Sequence, residues 1–186
     1  MASTLGLLEA ERIPYMLTGS IASAFYGEPR ATRDIDVVID PTPEALDSLI
    51  IGLQRGGAYV DADAARTALR ARTQFNAVVG DAKVDFVVRK ERPFSKAEFD
   101  RRRRVHLLGL KGSMVSVEDL ILAKLEWSAA TGSERQLRDV EGMVRVAGSD
   151  LDRGHVERWA AQLGLTTSWR QVLDDLAEAA VEPEPD

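Results

Sequence analysis

The chain has 186 residues, 45% of them hydrophobic and 29% charged, which suits one well-buried domain or one domain with a helical appendage and excludes a chain disordered as a whole. Its net charge of -6 excludes a protein that holds nucleic acid by bulk positive charge, leaving Arg101 to Arg104 as a local basic run. Cysteine is absent and histidine is limited to His106 and His155, so disulfides, thiolate chemistry and histidine-rich zinc sites are excluded, and a metal would need oxygen ligands, as magnesium and manganese prefer.

Met1 to Ala10 lacks the basic region and apolar run of a signal peptide. No stretch approaches the ~20 apolar residues of a membrane span, so a cytoplasmic protein with no membrane partner is expected. Leu5 to Arg12 reads as a short helix stopped before Pro14, and Tyr15 to Leu17 as a buried strand running into Thr18-Gly19-Ser20. Ile21 to Tyr26, small and apolar, reads as a helix ended by Gly27. Asp34 to Asp40 (DIDVVID) alternates acidic and apolar residues and then turns apolar, the pattern of a central strand. After Pro41 and Pro43, Glu44 to Gln54 carries Leu46, Leu49, Ile50 and Leu53 on one helical face.

Gly56-Gly57 is a turn, Ala62 to Ala71 has helical composition, and Gln74 to Val79 reads as a strand. Gly80-Asp81 then turns the chain into a further strand, Lys83 to Arg89. Ser95 and Glu98 match a capping box opening a short helix. Val105 to Leu110 and Met114-Val115 are extended, and the run Arg101 to Arg104 reads as a solvated helix end or an RNA contact. Ser116 and Asp119 start a helix over Leu120 to Ala130, followed by helices at Glu134 to Val146, Leu151 to Leu163 and Thr167 to Ala180. Trp127, Trp159 and Trp169 fall at helical positions expected to pack in a core. The expected division is an α/β core over 1–115, a helical region packed on it over 116–180, and a flexible acidic tail over 181–186. The expected sheet is mixed and twisted, with about five strands and helices on one side.

Asp34 and Asp36 are two apart on a strand, so both side chains leave one face. Two carboxylates so placed repel, and a divalent cation supplies the countercharge both need. Asp85 is a third acid, on an otherwise apolar strand. If that strand lies beside the first, the three acids suffice for two metal ions about 3.5–4 Å apart, an arrangement suited to phosphoryl transfer. Gly19-Ser20, between a strand and a helix N-terminus, has the chemistry of a phosphate seat: backbone N–H groups, a favourable dipole, no obstructing side chain, and a hydroxyl donor.

The order Gly19-Ser20, short helix, Asp34-x-Asp36, later strand Asp resembles the polymerase-β-like nucleotidyltransferases. The stretch Leu17 to Ile39 (LTGSIASAFYGEPRATRDIDVVI) resembles the abortive-infection toxin-type members and their minimal bacterial relatives, with Gly27, Arg30 and Thr32 at their G-x-x-R-x-T-x-D-x-D positions. Ser116 to Lys124 (SVEDLILAK) and Arg138-Asp139 resemble their S-x-E-D-L-x-x-x-K and R/K-D elements; the resemblance covers roughly residues 5 to 146. It implies Asp34 and Asp36 as magnesium or manganese ligands. Asp85 would be a third ligand or the acceptor of the attacking hydroxyl's proton. Gly19 and Ser20 would hold the β- and γ-phosphates of a nucleoside triphosphate, while Arg30 and Lys124 would be cations toward the nucleotide.

The bland readings are that Lys124 snorkels to water from a buried helix and that Arg138-Asp139 is an ordinary helix-surface ion pair or cap. The long C-terminal extensions that larger members use to recognise substrates are missing, which leaves the acceptor open. Three readings follow: a transferase acting on RNA (a tRNA end) or protein as the toxin of a pair, with an antitoxin encoded nearby; a small-molecule, antibiotic-type transferase; or a catalytically silent nucleotide-binding or interaction module.

Overall fold

In the computed structural model, which describes residues 2–27, 34–107 and 109–179, Asp34–Ile39 forms strand β2. Ile35, Val37 and Ile39 are buried on one face, whereas Asp34 is exposed and Asp36 and Val38 are half-buried on the other. Before it come α1 (Ala2–Ala10), β1 (Tyr15–Thr18) and α2 (Gly19–Tyr26). After it come α3 (Pro43–Arg55), β3 (Tyr59–Val60), α4 (Ala62–Ala71), β4 (Gln74–Val79), β5 (Ala82–Val88), α5 (Pro93–Asp100), β6 (Arg103–Leu107) and β7 (Leu110–Met114). The helices α6 (Val117–Thr131), α7 (Glu134–Ala147), α8 (Arg153–Leu163) and α9 (Thr166–Ala179) follow. Among the described residues no helix is long and apolar enough to cross a membrane.

The sheet is mixed, in the order β3-β4-β5-β2-β1-β7-β6. β2 is its central strand, parallel to β5 on one side and antiparallel to β1 on the other. The seven strands exceed the expected five or so for two local reasons. Two-residue β3 is too short to show alternation, and the extended stretch after Arg102 folds back on itself, pairing Val105 with Gly112 and His106 with Lys111.

The residues cluster into two units: Met1–Ala22 with Ala31–Ser116, and Ser23–Arg30 with Val117–Asp186. In the first, Leu17, Val37, Ile39, Val84 and Val88 are buried, and Phe86 stacks on Phe75 with ring centroids 5.0 Å apart. The buried stripe of α3 is Leu46, Leu49, Ile50 and Leu53, as its spacing predicts. Thr42 caps that helix by accepting from the Ala45 N–H, and Pro43 opens its first turn. α4 ends at Arg72, whose φ of 52° is left-handed and costs a non-glycine residue about 1–2 kcal/mol. Its guanidinium binds Asp40 and Glu91, both at 3.0 Å, while Arg89 Nε takes the other Asp40 oxygen at 2.8 Å. Asp40, just past β2, thus ties the end of α4 to the exit of β5.

Ser95 and Glu98 do not cap α5. Pro93, with its fixed φ, takes the first helical position, so both residues fall inside the helix and are buried. The arginine run is split rather than forming one helix end. Arg101 follows α5, Arg102 lies 4.3 Å over the Phe99 ring, and Arg103 and Arg104 belong to β6. Arg104 Nη1 is 2.6 Å from Glu9 Oε1, an oxygen that also accepts from the Tyr15 hydroxyl at 3.0 Å.

In the second unit α6 contributes Leu120, Ile121, Leu122 and Leu125 to the core and α7 contributes Val140, Met143 and Val144. Asp119 of α6 binds His155 Nε2 of α8 at 2.7 Å, both side chains being buried. Of the three tryptophans expected in a core, Trp169 is buried, Trp159 is half-buried and Trp127 is 60% exposed. Residues 181–186 lie outside the described residues.

Phe86 has no exposed surface and carries an aromatic partner. Phe86→Ala is expected to lower the unfolding free energy by about 3–5 kcal/mol, seen in denaturant titration as a lower midpoint at unchanged slope.

Candidate active site

The site is built where β1 passes into α2 beside the start of β2. Thr18, the last residue of β1, pairs with Asp36 across the antiparallel ladder, so Gly19 comes to rest against the Asp36 side chain. A Cβ on Gly19 would lie 2.0 Å from Asp36 Oδ2 and 2.5 Å from its Cγ. Gly19 also has φ of 59°, so the position needs glycine both for backbone conformation and for clearance. The hydroxyl of Ser20 donates to the backbone carbonyl of Asp34 at 3.3 Å, tying the first turn of α2 to the first residue of β2. N–H groups in such a first turn have no partner inside the helix, and the dipole there favours anions.

β5 completes the arrangement. It runs parallel to β2 with Asp85 opposite Asp36 and Lys83 opposite Asp34. Partners in a ladder leave the same face of a sheet, so four side chains form a two-by-two block: Asp34 and Asp36 on one strand, Lys83 and Asp85 on the next. The opposite face of both strands is apolar, with Ile35, Val37, Val84 and Phe86 buried. The polar face of this block therefore sits on a fully packed base.

Lys83 is the member the sequence reading left out. Its Nζ lies 2.8 Å from Asp85 Oδ1 and 2.9 Å from Oδ2, with the lysine side chain 46% and the aspartate 18% exposed. The hydrogen bond to Asp85, joined by the through-space pull of Asp34 and Asp36, holds the Lys83 ammonium above its ordinary value. The same two-residue alternation that places Asp34 with Asp36 would have placed Lys83 with Asp85.

Among the described residues, no group of three or more histidine, aspartate or glutamate side chains stands ready to hold a metal ion in this conformation. The donor chemistry nevertheless suits a divalent cation. Three carboxylates share one face, one is seated against a glycine that leaves it room, and an ammonium already occupies a cation's place at Asp85.

Arg30 and Lys124 are the remaining residues singled out from the sequence. Arg30 and its neighbour Thr32 lie outside the described residues. Lys124 belongs to the second unit, where its Nζ lies 2.7 Å from Asp139 Oδ2 and 2.7 Å from Gln136 Oε1, with the lysine side chain only 7% exposed. The ammonium is thus held by a carboxylate from α7 and does not snorkel to water. Asp139 is its half-buried partner rather than a surface mate of Arg138, which sits 3.7 Å from Glu134 instead.

No family model matches the sequence, and no curated protein matches it. Solved structures do. ANT(2'')-Ia in complex with adenylyl-2''-tobramycin is 16% identical, with a TM-score of 0.59 over 87% of this chain and 93% of that one. The lincosamide antibiotic adenylyltransferase LnuA, bound to lincomycin, is 15% identical, with a TM-score of 0.54 over 76% and 92%. An antigenic nucleotidyltransferase-like protein from Paracoccidioides brasiliensis is 14% identical, with a TM-score of 0.51 over 93% and 90%. At these identities the likeness shows the fold: the chain has the polymerase-β-like nucleotidyltransferase fold, with a seven-stranded mixed sheet and a run of helices after it.

Gly19→Ala is expected to destabilise the chain by at least about 1–2 kcal/mol, because it adds left-handed strain and drives a methyl group into the Asp36 carboxylate. Thermal or chemical unfolding reads this directly. Asp139→Ala, which strips a near-buried ammonium of its carboxylate, is expected to cost about 3–5 kcal/mol in the same measurement.

Proposed function

We propose that this chain is a divalent-metal-dependent nucleotidyltransferase, moving a nucleoside monophosphate from a nucleoside triphosphate to an acceptor hydroxyl. The observation that carries this reading is the register of β2 with β5, which sets Asp85 beside Asp36 on the face Asp34 shares, next to the Gly19-Ser20 entry to α2. The fold held in common with nucleotidyltransferases supports it.

In this reading Asp34, Asp36 and Asp85 hold magnesium or manganese. The bound ions would lower the acceptor's pKa and stabilise charge on the leaving oxygens. The chain's own groups do the rest. Gly19 and Ser20 receive the triphosphate tail on N–H groups of the first turn of α2, where a missing side chain lets the phosphates approach the backbone. Asp85, carrying an unshared lone pair once its ammonium partner moves, accepts the proton of the attacking hydroxyl. Most of the barrier reduction comes from holding the hydroxyl and the α-phosphorus in line and from fixed charge. Arg30 and Lys124 are assigned to the nucleotide on resemblance alone.

For the acceptor, the similar proteins point to a small hydroxylated molecule, since one was solved with adenylyl-2''-tobramycin and another is a lincosamide adenylyltransferase. RNA or protein as acceptor, with an antitoxin partner, is the competing assignment. Incubation with α-labelled nucleoside triphosphates and separated small-molecule, RNA and protein pools distinguishes them: label should enter the small-molecule pool. Asp34→Asn or Asp36→Asn should reduce that transfer by at least about a hundredfold without lowering thermal stability, because each removes a repelling charge. Undiminished transfer by the purified double variant would sink the assignment.

A further inference from the structure

Lys83 is a cation already present in the carboxylate block, and its placement is specific. It stands opposite Asp34 in the ladder and two residues before Asp85 on its own strand, so it fills the fourth corner of the block. Its ammonium contacts both oxygens of Asp85, at 2.8 and 2.9 Å. A metal ion ligated by Asp85 needs one of those oxygens and the space the ammonium takes. Two cations that close repel, so the two occupancies exclude one another. Lys83 places a positive charge among the three carboxylates and offsets part of their repulsion. Its side chain is 46% exposed on a flexible four-carbon stem, so the ammonium can leave for water at small cost.

We propose that Lys83 is a positioning residue: the tethered countercharge of the metal-free site, holding Asp85 until a divalent cation displaces it and so setting the affinity for that cation. The inference rests on the proposed metal site. Its consequence is that metal entry at Asp85 is an exchange of cations rather than a simple addition. Asp34 and Asp36 offer the first footing, and Asp85 joins only when the ammonium has moved.

The test uses Mn2+ alone, without nucleotide, on the full chain and on Lys83→Gln and Lys83→Arg. Bound Mn2+ is counted from the loss of the free-ion EPR signal, and thermal unfolding is followed in chelator. Lys83→Gln should bind Mn2+ roughly two- to fivefold more tightly than the unaltered chain, the range expected for removing an exposed competing pair. It should also unfold about 1–4 °C lower in chelator, where three carboxylates lose their countercharge. Lys83→Arg, which keeps the charge, should match the unaltered chain in both. A structural role alone would lower the unfolding temperature without tightening Mn2+ binding, and that outcome overturns the inference. Equal or weaker Mn2+ binding by Lys83→Gln, with the unaltered chain binding normally, also overturns it and leaves the proposed function standing. Absence of Mn2+ binding by both proteins overturns the proposed function, and this inference with it.

Discussion

The repulsion among three carboxylates on one face of the sheet is the constraint around which the first unit is arranged. Neighbouring strands lie about 4.8 Å apart, and at that spacing two unit charges in a medium of effective dielectric about 20 repel by roughly 3 kcal/mol. Asp36 and Asp85 occupy such neighbouring positions, with Asp34 two residues along. A helix N-terminus contributes only about 0.3–1 kcal/mol toward an anion, so the start of α2 cannot offset the block by itself. Lys83 offsets part of it, and in the proposed reading a divalent cation would offset more. The apolar underside of β2 and β5 makes the arrangement tolerable, because burial of Ile35, Val37, Val84 and Phe86 fixes both strands whatever the charges prefer.

Seen this way, Gly19 is a consequence of Asp36. The pairing of Thr18 with Asp36 puts residue 19 over the carboxylate, and only a residue without Cβ fits there. The glycine proposed to open a phosphate seat is the same glycine that clears an acid. Ser20 reinforces the junction by donating to the Asp34 carbonyl, so the start of α2 and the acidic block are held together by a short link to backbone rather than through long side chains. That rigidity is what a reaction dependent on positioning requires.

Where the chain alternates cleanly, the elements could be read from the sequence. The apolar stripe of α3, the bounds of α4 and β4, and the placing of β2 at the centre of the sheet all follow from periodicity and turn residues. So did the sharing of one face by Asp34 and Asp36. What escaped depended on partners distant in the chain or on elements too short to have a period. β3 has two residues, and the β6–β7 hairpin has no turn pattern stronger than its neighbours. In sequence Arg104 is one of a basic run, and nothing there marks its partner, Glu9, which lies 95 residues away. Sequence adjacency couples Asp139 to Arg138, whereas its ion pair is with Lys124 on another helix. Lys83 obeys the same alternation rule as the acids, but a lone lysine on an exposed strand face carries no signal that sets it apart from a solvated side chain.

The central claim is that the carboxylate block takes a divalent cation together with a nucleoside triphosphate. Thermal unfolding of the unaltered chain with magnesium, with each nucleoside triphosphate, and with both tests it most directly. The account predicts a rise in unfolding temperature that requires both ligands and is abolished by chelator, equivalent to about 2.7 kcal/mol when the nucleotide stands at a hundred times its dissociation constant. No shift with any magnesium–nucleotide combination, or a nucleotide shift that persists in chelator, would contradict it.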